Sequence, residues 1–430
     1  MVIRISARGW AVGAASLWLS ATAQAQTSEI AGKRALVKAT PRDASAQQAL
    51  GVAELRAGHF PEAKRAFEAA ASLSKGDPRA VMHVAEVAIA QGDYKAAKNL
   101  CRKLFPERGT PSPIAHVCMA RAYLAWNRSS RAFEDLEQAL TIDPNCSEAQ
   151  LVLGHAHRLR ADVAQASAAY TKAKQDPRLE AEANLGLGKL YAAAGKKADA
   201  IAALRETLTR EGSWPEAQLE LGILLSTTEE GRGLLAAALA GRPGWPEAAR
   251  ALGDARRDAS DFAGAESAYR EALKSDPNLA PALAGLGEVL FKSGRLDDAQ
   301  VALEKSLTLV TNNARAALVL AEVLTQQNKT DEAVEQFRHA TDLDPRNPAG
   351  LVRAAEILLA AQRATLAAGF LDRLLEAHPD LAQGLALYGD AMLQRGDKPA
   401  AKGYYTRALK GQGTLKAEER ARIQKALAGL

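Results

Sequence analysis

The side chains in this sequence with the most chemical potential are three cysteines, seven histidines and a recurring column of charged residues. Cys101, Cys118 and Cys146 permit one disulfide and leave one thiol if the chain reaches an oxidising compartment. His155 and His157 stand two apart and point to different faces of a helix, so they do not form the i, i+4 metal-ligand pair. The other histidines are scattered. Gly186-Leu187-Gly188 and Gly285-Leu286-Gly287 are half of a dinucleotide fingerprint, but no strand precedes either and both fall inside helical patterns. Asn127-Arg128-Ser129 fits a glycosylation acceptor, which carries weight only in a eukaryotic secretory context. No spacing assembles a Ser-His-Asp set or a working carboxylate pair. The expectation is a non-enzymatic protein that takes no metal and no cofactor.

Positioning these residues is the work of a repeated unit. Residues 246–279 read as two short amphipathic helices, a tight turn and a proline-marked exit. Ala63, Ala97, Ala132, Ala166, Ala200, Ala265, Ala299, Ala333, Ala367 and Ala401 share one slot, in steps of 34 with one of 35 and one of 65. Twelve residues before each stands another small residue, Gly51, Ala85, Ala120, Gly154, Gly188, Gly253, Gly287, Ala321, Ala355 or Gly389. Four residues after each stands a large one, from Phe67 through Tyr170 and Tyr269 to Tyr405, with Cys101 in the second unit. Three columns in phase at one period mark a stacked array, because a lone helix hairpin cannot bury its apolar faces.

These residues resemble the tetratricopeptide repeat family. Leu187-Gly188 with Tyr191, Gly195 and Ala200 follows its pattern, as do Ala265, Tyr269, Ala272-Leu273 and Pro277, and Asp-Pro exits recur at 143, 276 and 344. The tryptophan of the family's first helix is absent. The resemblance implies an all-α solenoid, a right-handed superhelix with a concave groove lined by the first helix of each pair. The expected organisation is a signal peptide at 1–25, a linker or leading helical turn at 26–43, repeats one to five over 44–214, and a short irregular sixth repeat over 215–245. Repeats seven to eleven follow over 246–412, then a capping helix over 413–430. In the sixth repeat the second helix is expected to be only about two turns, from Leu234 to Ala240, with a change of pitch around 226–245. Cys101 falls on the second helix of repeat two and Cys118 on the first helix of repeat three. This pair is the best placed for a disulfide, and free buried thiols are the alternative.

One groove-facing column reads Arg121, His155 and Lys189 in the middle repeats, then Asp254, Glu288, Glu322, Glu356 and Asp390. The column four residues earlier is largely apolar. This is either an ordinary solvated stripe or a partner groove with an apolar floor and a sign of charge that reverses near the sixth repeat. Such a groove would hold a peptide or helix in a fixed direction. Phe291 is the one aromatic expected on the inner face.

Arg4 and Arg8, an apolar run from Trp10 to Ala21, and Ala23-Gln24-Ala25 have the form of a cleaved secretory signal. The expected location is therefore the bacterial periplasm, with secretion as the alternative, and no membrane span. Net charge is +5 for 430 residues. No basic run interleaved with aromatics accompanies it, so nucleic acid is not an expected partner. The function expected is a scaffold for protein–protein interaction in assembling a cell-envelope machine, such as a motility or pilus apparatus or a polysaccharide exporter. The alternative is a polysaccharide-binding or carrier subunit, for which the inner face is short of aromatic platforms.

Overall fold

The computed structural model describes residues 28–430 except Gly76, Arg346 and Thr414. The signal segment expected at 1–25 lies outside the described residues. The described chain is an α-solenoid of 24 helices, and none of them is long and apolar enough to cross a membrane. It divides into two compact units after Ala255.

The described part of unit 1 begins with α1 (28–39), where a linker or leading helical turn was expected. The helix forms because Ile30 is buried and Arg34 reaches Glu54 of the next helix. Six antiparallel pairs follow. They are α2 (Ala44–Arg56) with α3 (Phe60–Leu73), α4 (Pro78–Ala90) with α5 (Tyr94–Arg102), and α6 (Pro113–Ala125) with α7 (Ser129–Ile142). Next come α8 (Ser147–Leu159) with α9 (Val163–Ala173), α10 (Glu180–Ala193) with α11 (Lys197–Glu211), and α12 (Pro215–Leu224) with α13 (Glu229–Gly241). The division falls inside α14 (Pro246–Asp258). Unit 2 continues with α15 (Phe262–Ser275), α16 (Ala280–Lys292) with α17 (Leu296–Leu309), and α18 (Ala314–Gln326) with α19 (Thr330–Leu343). It closes with α20 (Pro348–Ala360) and α21 (Ala364–Ala377), α22 (Ala382–Gln394) and α23 (Lys398–Ala408), and the end helix α24 (Ala417–Ala428).

The close packing is set by one contact that recurs at fixed spacing. A Cβ placed on Gly51 would stand 2.6 Å from the Phe67 ring, and one on Gly154 2.6 Å from the Tyr170 ring. Gly287 and Gly389 stand the same way against Leu303 and Tyr405, each at 2.5 Å. The large residue of the second helix enters the space left by the missing side chain of the first. Phe67, Tyr170, Tyr269, Leu303 and Tyr405 are fully buried, as is the alanine column. Tyr170 also abuts Gly186 of the following pair, at 2.5 Å from a Cβ there, so one ring locks two repeats together.

The turn between paired helices has its own requirement. One residue in each of ten pairs has positive φ: Gly58, Gly92, Gly195, Gly294 and Gly396, and at the other five Asn127, Ala161, Ser260, Asn328 and Gln362. The chain then enters the second helix, often through an aspartate cap. Asp93 accepts from Ala96 N at 2.9 Å, and Asp261 from Gly264 N at 3.0 Å.

The sixth pair departs from this pattern, and not where expected. Its second helix, α13, is a full 13 residues, and the shortened element is the first, α12, at 10 residues. Gly231 occupies the alanine slot and Leu235 the large slot, 31 residues beyond Ala200 and Leu204. Gly222 meets Leu235 at a spacing of 13 instead of 16. Removal of about one helical turn pulls the end of α12 onto α13, and a Cβ on Gly231 would stand 2.0 Å from the Leu225 carbonyl oxygen.

The second and third pairs are joined covalently by a Cys101–Cys118 disulfide, Cα–Cα 5.4 Å, between α5 and α6. Cys146 is a buried free thiol.

Two substitutions follow from this packing. Gly231→Ala is expected to cost roughly 1–3 kcal/mol by forcing backbone apart. Ala161→Gly is expected to stabilise by about 1 kcal/mol, since alanine is held at φ 59 where glycine pays no Cβ penalty. Urea titrations of both variants check this, and a neutral Gly231→Ala would contradict the close approach at the sixth pair.

Candidate functional site

The inner wall of unit 1 is built by the first helices of successive pairs. The residue one past the helix crossing on each lines this wall and supplies Glu86, Arg121, His155 and Lys189 from α4, α6, α8 and α10. These four side chains converge on a cavity of about 450 Å³. Its apolar strip is formed by Ile89, Leu124, Val152, Leu159 and Leu185, with Trp214 at one edge. Leu159 is 58% exposed, a large apolar side chain left open at this wall.

Glu86, Arg121, Glu182, Lys189 and Glu216 are paired with one another, while Arg158, which also lines the cavity, makes no ion pair among the described residues. Arg121 Nη1 lies 2.8 Å from Glu86 Oε1, and its Nη2 3.5 Å from Glu182 Oε1, two repeats further on. Lys189 donates to Glu216 and lies 3.7 Å from Glu220. Across the same coil Arg79 Nε donates to Glu148 at 2.6 Å, again between repeats two apart. Such pairs span alternate repeats because the coil is tightly curved.

Burial and charge set the protonation states. Burial alone would raise the Glu86 carboxyl, but Arg121 and His83 outweigh it and pull it down to about 2. Burial would lower the His83 imidazole, yet the neighbouring Glu86, 2.9 Å from its Nδ1, raises it. His155 has no such partner. Burial, then the positive charge of Arg121, Arg158 and Lys189, pushes it down to about 3, so it is neutral at physiological pH. Its ring packs edge-on against Tyr170 at 5.4 Å.

In unit 2 the column residues Glu288, Glu322, Glu356 and Asp390 are half-buried along α16, α18, α20 and α22. Arginines cover the acidic column read from the sequence. Arg315 Nη2 donates to Glu288 at 2.8 Å, and Arg257 reaches its other oxygen at 3.4 Å. Arg353 bonds Glu322 and Glu356, each at 2.9 Å. Arg422 of α24 takes Asp390 at 2.5 Å, and the Tyr405 hydroxyl donates to the same carboxylate at 2.6 Å. Arg315 is 64% exposed and Glu288 only 16%, so the outward group there is the cation. In unit 1 Asp254 pairs with Arg250 one turn back on α14. Phe291 is half-buried with the Lys292 ammonium 5.7 Å from its ring centre. The structure therefore gathers Arg121, His155 and Lys189 into one cavity and spreads the acidic residues along a separate wall. Because Arg121, Lys189 and the acidic residues are paired with groups from other columns, mostly on other helices, the reversal of sign read from one column does not describe the surface.

Glu182, Glu216, Arg158 and Trp214 escaped the sequence reading. The first two each stand six residues before a crossing glycine, Gly188 and Gly222. Scanning that column beside the first would have shown each basic group matched by an acid.

Among the described residues no group of three or more His, Cys, Asp or Glu side chains is placed to hold a metal ion.

Sequence models of the tetratricopeptide repeat match residues 54–118, 256–323, 293–340 and 324–390, residues 162–217 and 225–280, and residues 116–146. No curated protein sequence matches the chain. Similar solved structures include MamA, at 24% identity over 40% of this chain and 97% of that one, TM-score 0.35. Pseudomonas aeruginosa pilF is similar at 24% identity over 49% of this chain and 96% of that one, TM-score 0.41. Yeast Tom70 is similar at 15% identity over 90% of this chain and 96% of that one, TM-score 0.38. None of these likenesses bears on what this chain binds.

The protonation states predict how stability follows pH. His155 takes up a proton less readily folded than unfolded, so its contribution is complete above about pH 6.5 and is lost as pH falls towards 3. Glu86 acts in the same sense between about 4.5 and 2, while raised His83 acts oppositely, favouring the fold below 6.5. Thermal melts from pH 7 to 4.5 should show the wild-type midpoint falling and His155→Gln falling less. An identical slope in the two proteins would mean the imidazole is not the source.

Proposed function

The chain belongs to the tetratricopeptide repeat family, whose arrays serve as scaffolds for protein–protein interaction, and from that premise we propose that the inner wall of unit 1 binds a polypeptide segment of an envelope protein. The observation that carries this reading is the cavity wall itself. Apolar side chains, exposed Leu159 among them, share the wall with charges that are paired to one another at all but Arg158. Such a wall takes apolar side chains on the strip and leaves main-chain polar groups opposite fixed donors and acceptors, with little net field to select a strongly charged ligand.

Export to the periplasm is part of the same proposal. It is supported by the basic, apolar and small-residue order of residues 1–25 and by the Cys101–Cys118 disulfide, a bond at home in an oxidising compartment. The machine served is one of envelope assembly, and the chain's part in it is recruitment without catalysis. A polysaccharide ligand is less favoured, since Trp214, the one tryptophan, tyrosine or phenylalanine among the described residues lining the cavity, has a guanidinium stacked on it.

Full-length protein carrying Leu159→Asp tests the reading. Affinity capture from envelope fractions, followed by mass spectrometry, should lose the specific partner at least about tenfold. Thermal stability should move by no more than about 0.5 kcal/mol, because the side chain is exposed. Leu366→Asp, at an exposed position in unit 2, should retain the partner. Equal recovery with both variants, or recovery of glycan alone, would overturn the assignment of the wall.

A further inference from the structure

At the end of α2, Arg56 reaches the junction of α11 and α12. Its guanidinium carbon lies 3.7 Å from the centre of the Trp214 ring. Its Nη1 donates at 2.8 Å to Glu211 Oε2, 155 residues along the chain. The turn after Arg56 seats at the same place, where a Cβ on Gly58 would stand 3.3 Å from Arg242 Nε. One rim of the coil formed by the first pairs of unit 1 is thus closed upon itself.

Both sides of this contact are held. Glu54, two residues before Arg56, is 1% exposed and accepts from Arg34 Nε of α1 at 2.8 Å. It also bonds the His59 ring at 2.7 Å, which fixes the turn that follows. On the far side Trp214 is 7% exposed, stands at the start of α12 and lines the cavity. The ring that closes the rim is therefore the same ring that borders the binding wall.

In a solenoid each repeat touches mainly its neighbours, so curvature is soft and small changes per repeat add up. A tie from the first pair to the fifth and sixth has leverage over all the pairs between. We propose that Arg56 is a clasp on the width of the cavity: the wall stays open to solvent and small molecules with the Arg56–Trp214–Glu211 contact made, and the contact opens to admit a bulky polypeptide segment and closes behind it. The proposal regulates the binding wall assigned above and rests on that reading. Arginine suits the role because its flat guanidinium stacks on the indole and donates to a carboxylate at once. The Arg56 and Glu211 side chains are 18% and 36% exposed, so salt weakens the pair.

The test needs no partner. Leu124→Cys places a thiol on the half-buried part of the cavity wall of the full-length protein, with the parent carrying buried Cys146 as background. Alkylation is timed with N-ethylmaleimide and with a maleimide bearing a long polyethylene glycol chain. In an Arg56→Ala background the bulky reagent should react faster by roughly five- to thirty-fold, the factor expected for loss of one such contact. The small reagent should change by less than about twofold on the same physical grounds. Arg56→Lys should fall between, keeping the charge and losing the stack. High salt should speed the bulky reagent only where Arg56 is intact. Unchanged bulky-reagent rates in Arg56→Ala, or an equal rise for both reagents, would overturn the clasp. Loss of the envelope partner in Leu159→Asp is read separately, so either idea can fail alone.

Discussion

The structure depends on one steric arrangement, a large side chain of each second helix pressed into the gap left by a small residue on its partner. Where glycine stands at the crossing, as at Gly51, Gly154 and Gly389, a ring lies too close for any side chain to fit between. This contact sets the distance between paired helices, and Tyr170, shared between Gly154 and Gly186, extends it from one pair to the next. Everything on the inner wall inherits its position from that spacing. Arg121, His155 and Lys189 converge because each stands one residue past a crossing.

The array was legible because this arrangement writes itself into sequence as small and large residues at constant separation. Gly51, Ala63 and Phe67 announce a helix pair before any geometry is known. The sixth pair was misplaced for a related reason. Its small and large residues, Gly222, Gly231 and Leu235, are all present, but they are compressed by about a turn, so a fixed frame passes over them. Helix α1 was expected only as a linker or a leading turn because it does not share the repeat pattern. It is held by Ile30 and by Arg34 on Glu54, contacts that have no periodicity to reveal them.

The wall chemistry was only half legible. A single column shows which residues face inward, and it placed Arg121, His155 and Lys189 together. It cannot show what lies opposite them, because ion pairs here run between different columns and even between alternate repeats. Arg121 with Glu182 and Arg79 with Glu148 are examples. Curvature, which sequence does not encode locally, decides these partners. The same is true of Arg56 and Trp214, whose meeting depends on the accumulated turn of the intervening pairs. In unit 2 the carboxylates of Glu288 and Asp390 belong to arginines from neighbouring helices, and a ladder that looks anionic on paper is internally compensated.

The bond between Cys101 and Cys118 has a consequence for how such a stack comes apart. Linear arrays fray inward from their ends, since a terminal pair has a neighbour on one side only. A cross-link closing a stretch of 17 residues between the second and third pairs removes part of the disorder that fraying would gain there, on the order of 3 kcal/mol. Unravelling that starts at the amino end therefore meets a rivet two pairs in. Behind it the pairs that carry Arg121, His155 and Lys189 remain wound, and that part of the inner wall outlasts the loss of the helices that lead up to it.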